Sequence, residues 1–170
     1  MVKGLEEIPR GERVFIDANI FHLYFRGPKP IKEQCKAFIE RIINREIFGY
    51  TSVLVLDEFI YKILLKLIEV DYGENPVEVF RREKFNVVKK YSGLVNGFLG
   101  EILSIRNLEI LPVTRDDILF AFMILCEVGL LPRDAMHLAV MHRNNISALA
   151  SMDPDFDVIK GITRYSPLTT

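Results

Sequence analysis

The chain has 170 residues and a mass of 19.6 kDa, the length of one domain with a sizeable core, and it is read as a single domain over residues 1–170. Apolar residues make up 49% and charged residues 26%, which excludes a disordered or low-complexity chain. A net charge of -1 and a pI near 6.3 exclude a protein that coats nucleic acid through a global basic field, while leaving room for an enzyme that meets nucleic acid at a local patch.

The opening stretch, MVKGLEEIPRGER, is charged throughout and lacks the apolar run of a secretory leader. The longest apolar run, residues 118–126, is far short of the roughly 20 residues needed to span a bilayer, so a soluble cytoplasmic protein without membrane contact is expected. Cys35 and Cys126 lack a CxxC companion and are read as two buried free thiols rather than zinc ligands or a disulfide.

Residues 13–17 read as a short buried strand. A helix starts at Asn19 and ends before Gly27-Pro28 and Pro30. Residues 31–46 carry Ala37, Phe38, Ile42 and Ile43 at amphipathic helical spacing. A second strand candidate covers 48–51, followed by a largely buried helix over 52–70 that breaks at Asp71-Tyr72-Gly73. Asn75 and Pro76 then open a helical segment reaching residue 105, as one helix or as two pieces around Gly93 and Gly97. That glycine pair reads as a close-packing point between helices. A third strand spans 109–113. Thr114 with Asp117 caps a helix stopped by Gly129, and a further helix opens around Asp134. A strand over 147–152 leads into a loop bearing Asp153, Asp155 and Asp157, and residues 163–165 add an edge strand. The expected fold is α/β: a three-layer α/β/α arrangement with a central, mostly parallel sheet of about five strands.

Ligands of such sheets gather outside the carboxyl ends of the strands. Asp17 and Asp153 end strands, Asp134 lies in the first turn of a helix, and Glu58 lies about two turns into its own. Parallel strands would bring all four to one sheet edge, where they would repel one another unless a cation intervened. Oxygen donors alone favour Mg²⁺ or Mn²⁺ over zinc, and one or two such ions would activate water for phosphodiester hydrolysis. Each acid also has a plain structural alternative. Asp17 can cap the helix after it, Asp134 can complement a helix dipole, and Asp153-Pro154-Asp155 is ordinary turn chemistry. Asp57 competes with Glu58, but a helix turns 100° per residue, and Glu58 is the preferred inward group.

Other residues carry less. His137 follows Asp134 by one turn and reads as a core histidine or a hydrogen-bond partner of the site. Arg133 is placed to reach a phosphate, and Lys62 and Lys66 follow Glu58 along one face. The basic run Arg81, Arg82, Lys84, Lys89 and Lys90 is a solvated helix face by default and an RNA-contacting patch in the sharper reading. Neither GxGxxG nor GxxxxGK[ST] occurs.

The blocks FIDAN, TSVLVLDEF, RDAMHLA and ASMDPDFD, in this order, resemble the PIN-domain nucleases, particularly the VapC-type toxin ribonucleases of prokaryotes. By this resemblance Asp17 is the first acidic ligand, Glu58 the helix-borne glutamate, and Asp134 and Asp153 the two later catalytic acids. Asp155 matches a more variable extra acid near the metal. Ser151 stands where threonine is common, and Asn19 where a small polar residue touches the site. The resemblance implies a Rossmann-like fold, Mg²⁺- or Mn²⁺-dependent RNA cleavage leaving a 5′-phosphate, an antitoxin partner and a homodimer. Residues 58–134 form a longer stretch than a compact toxin of this kind requires. Two rivals remain: a PIN-type RNA-processing or quality-control nuclease that is not a toxin, and a non-catalytic PIN module that binds RNA or protein.

Overall fold

The computed structural model describes residues 3–167. Val14, Phe15 and Ile16 are fully buried, so the strand they form must have neighbours on both sides. Among the described residues the sheet has six strands: β1 (Lys3–Gly4), β2 (Arg13–Ile16), β3 (Phe48–Ser52), β4 (Leu108–Leu111), β5 (Ala148–Ala150) and β6 (Thr163–Ser166). Their order is β1-β6-β5-β2-β3-β4, and every pairing is parallel. The expected fold class holds, with β1 as the strand too short to leave a pattern in the sequence. The chain moves outward from β2 through β3 to β4, then returns to the other flank of β2 with β5. The order of connections therefore reverses between β2 and β5, which opens a crevice at their carboxyl ends.

Among the described residues six α-helices cover the sheet: α1 (Ala18–Arg26), α2 (Lys29–Ile43), α3 (Val53–Tyr72), α4 (Pro76–Ser104), α5 (Arg115–Val128) and α6 (Pro132–Arg143). The long α3 buries Val55, Leu56, Phe59, Ile63, Leu64, Leu67 and Ile68, a stripe at helical spacing, and Ser52 Oγ caps it by accepting from the Val55 N–H. Asn75 Oδ1 caps α4 by accepting from the N–H groups of Val77 and Glu78. The Asp117 carboxylate accepts from the Thr114 N–H at the start of α5. Gly129, at φ 78°, ends that helix in the left-handed conformation that costs glycine little.

Two expectations are corrected and one open choice is decided. The helix α4 runs through Gly93 and Gly97, and its one non-helical residue is Glu83 (φ -126°, ψ 25°). Both glycines are exposed and a side chain at either would meet open space, so they are no packing point within the chain. The face of α4 that meets α3 instead carries Val79, Val87, Tyr91 and Val95. Cys35 is a buried free thiol as expected, but Cys126 is exposed, because α5 turns only Asp117 and Ala121 fully inward.

The close approach in the sheet lies at Gly49 of β3. A Cβ there would come within 2.8 Å of Cδ1 and 2.9 Å of Cγ2 of the fully buried Ile42 on α2. Both atoms belong to a β-branched side chain with little room to retreat. Gly49→Ala should therefore destabilise the fold by about 1–3 kcal/mol, as overpacking of a tight core does. Urea denaturation checks this, and an unchanged midpoint would show that Ile42 can move aside.

Candidate active site

Asp17 follows β2 directly and Ser151 follows β5 directly, and the two strands pair with Ile16 opposite Ala150. The Asp17 N–H donates to the Ala150 carbonyl at 3.0 Å, so the pairing carries Asp17 into the crevice beside Ser151. Its carboxylate, 5% exposed, accepts from the Ala18 N–H at 2.5 Å, from Asn19 Nδ2 at 2.5 Å and from the Ser151 hydroxyl at 2.6 Å. Asn19 Nδ2 also donates to Ser151 Oγ at 3.1 Å, while Asn19 Oδ1 accepts from the Met152 N–H. Asp17 is thus both the cap of α1 and a member of a buried cluster: its two readings coexist. Burial pushes its carboxyl above the ordinary range, and the Ser151 hydrogen bond only partly offsets this.

Glu58 and Asp57 separate on α3 by the 100° turn between them. The Asp57 side chain is 69% exposed, whereas Glu58 lies on the buried face. Glu58 Oε2 lies 3.1 Å from His137 Nε2 on α6, and Glu58 Oε1 lies 2.6 Å from Lys62 Nζ one turn along α3. Burial opposes ionisation of Glu58, but the hydrogen bonds from His137 and Lys62, with their charges, outweigh it and hold the carboxyl at about 2. An ionised carboxylate only accepts, so the ring proton faces Glu58 from Nε2. His137 Nδ1 is left buried without a partner among the described residues. Phe15 packs against this ring, with centroids 6.0 Å apart.

Asp134, third residue of α6, is half-buried. Burial pushes its carboxyl up to about 6. His137 works against the shift, while the carboxylates of Asp153, Asp17 and Glu58 add to it. The four acids therefore share one crevice electrostatically, with Asp17, Glu58 and His137 as its tight centre: a ligand atom of each lies within 4.8 Å of the others. Asp153 caps the 3₁₀ turn Pro154–Val158 by accepting from the Asp155 N–H at 2.9 Å. The Asp155 side chain is exposed on that turn. Arg133 is turned toward Asp57, 3.7 Å away across the mouth of the site.

One contributor left no recognised sign in the sequence. Arg164 on β6 donates through Nε and Nη2 to the two oxygens of Asp157, at 2.7 and 2.8 Å, and through Nη1 to the Ser151 carbonyl at 3.1 Å. This fork fastens the acidic loop to the sheet. The only available signal was an arginine inside a short, otherwise buried strand.

The model of the PIN domain matches residues 14–162, nearly the whole of this arrangement. The chain belongs to the PIN domain family. A search of curated proteins gives no match. Among solved structures, VapBC2 from Rickettsia felis, bound to a promoter DNA fragment, is similar with 15% identity and a TM-score of 0.58, covering 91% of this chain and 98% of the other. A toxin-antitoxin complex from Klebsiella pneumoniae is similar at 16% identity and a TM-score of 0.53, over 88% and 94% of the two chains. VapC20 from Mycobacterium tuberculosis, a toxin that cleaves the sarcin-ricin loop, is similar at 17% identity and a TM-score of 0.54, over 85% and 92%. At these identities the likeness is one of fold. No helix among the described residues is long and apolar enough to cross a membrane.

The donor set of this PIN domain suits a hard divalent cation. Carboxylate oxygens gather in one crevice, two of the acids are pushed toward the protonated form, and the nitrogen of His137 that faces the centre is spent on Glu58. Between pH 3.8 and about 6 the folded protein keeps a proton on Asp134 that the unfolded chain, with its ordinary aspartate value, has released. Stability in the absence of metal therefore falls as pH rises through that window. A divalent ion would take the proton's place, so Mg²⁺ should raise the melting temperature more at about pH 7.5 than at about pH 5. Thermal melts at the two pH values check this, and equal shifts would show that these carboxylates do not take the ion.

Proposed function

We propose that this PIN domain is a Mg²⁺- or Mn²⁺-dependent endoribonuclease of VapC type, the toxin of a toxin-antitoxin pair. In this reading it is cytoplasmic, one nuclease domain long, and held by an antitoxin protein. The reading is supported by the close approach of Asp17, Glu58 and His137 in a PIN fold, and by the electrostatic pressure of Asp153, Asp17 and Glu58 on Asp134, which a cation would relieve. The toxin assignment rests on likeness of fold to the toxin structures from R. felis, K. pneumoniae and M. tuberculosis.

Asp17, Glu58, Asp134 and Asp153 would hold the ion or ions, with Asp155 within reach from the exposed turn. Such an ion supplies positive charge to the phosphate in transfer and lowers the pKa of a water. Ser151 and Asn19 hold the Asp17 carboxylate in one orientation, and His137 does the same for Glu58. Arg133, with only a long and exposed pairing to Asp57, is free to swing to a phosphate. No side-chain nucleophile is needed, and the cut would leave a 5′-phosphate and a 3′-hydroxyl.

Cleavage of a mixed RNA pool with Mn²⁺, with sequencing of the new ends, tests the reading. Discrete cuts should appear and vanish with a chelator. Asp134→Asn should cut at least about 100-fold more slowly, since removing even an outer partner of a metal ligand costs about 10–100-fold. The same variant should melt higher than wild type without metal, because it removes a repelled charge. Undiminished cleavage by Asp134→Asn would overturn the metal site.

A homodimer is part of the same proposal, and α5 offers a face for its seam. Ile118, Leu119, Phe122 and Met123 form one face of α5, and each is more than half exposed. We expect the wild type to sediment as a dimer and Phe122→Glu as a monomer. A monomeric wild type would remove this element of the proposal.

A further inference from the structure

Beside the acidic crevice lies a groove of about 380 Å³ between α1, α3, the first residue of α4 and the loop after β5. Leu23, Leu65, Pro76 and Met152 give it an apolar lining, and His22, Lys62 and Lys66 add nitrogen groups. Asn19 and Lys62 also belong to it, and both touch the acids: Asn19 donates to Asp17, and Lys62 Nζ lies 2.6 Å from Glu58 Oε1. Groove and crevice are therefore continuous.

The charged groups of the lining are two cations, Lys62 and Lys66, and one acid, Glu69, with Lys62 paired to Glu58 and Lys66 to Glu69. The imidazole of His22 is held below its ordinary pKa by burial and then by three cations, Arg26, Lys66 and Lys62. Its Nδ1 is buried with no hydrogen-bond partner among the described residues. In a chain whose net charge is -1, this positive field is local and directed at one concavity. Lys66 is held only by Glu69, at 2.7 Å, with both side chains about half exposed. Such a pair yields readily to a more highly charged anion.

We propose that this groove seats one nucleotide of the RNA next to the scissile phosphate, with the base on the apolar lining and its phosphate between Lys62 and Lys66. The proposal rests on the nuclease reading above and adds the substrate's subsite to it. An apolar surface bordered by cations and opening onto a carboxylate cluster is complementary to a nucleotide, which joins a flat apolar ring to a phosphate. The volume lies within the about 300–1,000 Å³ range of small-molecule sites. A carboxylate cluster alone repels RNA, so a neighbouring cationic seat is what the cleavage chemistry needs to bring the backbone in.

The test uses the full chain, labelled at Leu and Met methyl groups, with nucleoside 5′-monophosphates as probes and a chelator present so that no metal bridges them to the acids. Methyl shifts should appear at Leu23, Leu65 and Met152, and should weaken at least about tenfold in apparent affinity in Lys66→Glu and in Leu65→Gln. With RNA and Mn²⁺, Lys66→Glu should raise KM by a larger factor than it lowers kcat, while Asp134→Asn acts on kcat. Shifts clustered elsewhere, together with an unaltered KM in both groove variants, would overturn the proposal and leave the nuclease reading standing. That result would favour a segment of a partner protein as occupant. Groove shifts with no cleavage of any RNA would keep the nucleotide seat and remove the nuclease reading.

Discussion

A carboxylate withdrawn from water must be given partners, and the partners of Asp17 tie the whole site together. Its own N–H completes the pairing of β2 with β5, and its oxygens accept hydrogen bonds from Ala18, Asn19 and Ser151. The strand ends, the start of α1 and the acidic loop are thereby joined at one atom group. Arg164 extends the network by holding the Ser151 carbonyl and Asp157 together. Without the β2–β5 pairing these groups, more than a hundred residues apart in the chain, would have no reason to meet.

Two buried acids of this site have opposite electrostatics for an intelligible reason. Glu58 has His137 and Lys62 within hydrogen-bonding distance, and two donors outweigh burial. Asp134 is burdened by burial and by three other carboxylates, and is left with a carboxyl pushed up to about 6. The crevice thus combines one acid already held by two internal donors with others still short of positive charge. That asymmetry, rather than the count of acids, is what makes an added cation favourable. Lys62 stands at the border, since it neutralises Glu58 and also lines the cationic groove.

The remaining surface divides in the same physical terms. The basic run on α4 is a solvated face whose charges are partly matched: Arg82 pairs with Glu74 and Glu83, and Lys90 with Asp71. The face of α5 is the contrary case, apolar and uncovered. Helix α5 meets α6 on one side and leaves Phe122 and its neighbours facing outward. Nothing among the described residues covers that face, which is where the proposed homodimer would form.

Strand and helix alternation and the parallel sheet were legible in the sequence, because both depend on local order. A run such as Val14-Phe15-Ile16 before Asp17 declares a buried strand and the group at its end, and Asn75-Pro76 declares a helix start. What the chain could not declare was which way a helix faces. Leu54, Val55, Leu56, Phe59 and Ile60 surround Asp57 and Glu58 with apolar residues, so the phase of α3 was settled only by packing against the sheet and α4. For the same reason Cys126 came to be exposed, the glycines of α4 came to face open space, and His137 turned inward to Glu58. The sequence by itself determined the elements and their chemistry. Orientation, and with it the pairing of Glu58 with His137 and of Ser151 with Asp17, was decided by tertiary contacts between residues 79 and 134 positions apart, which no local pattern encodes.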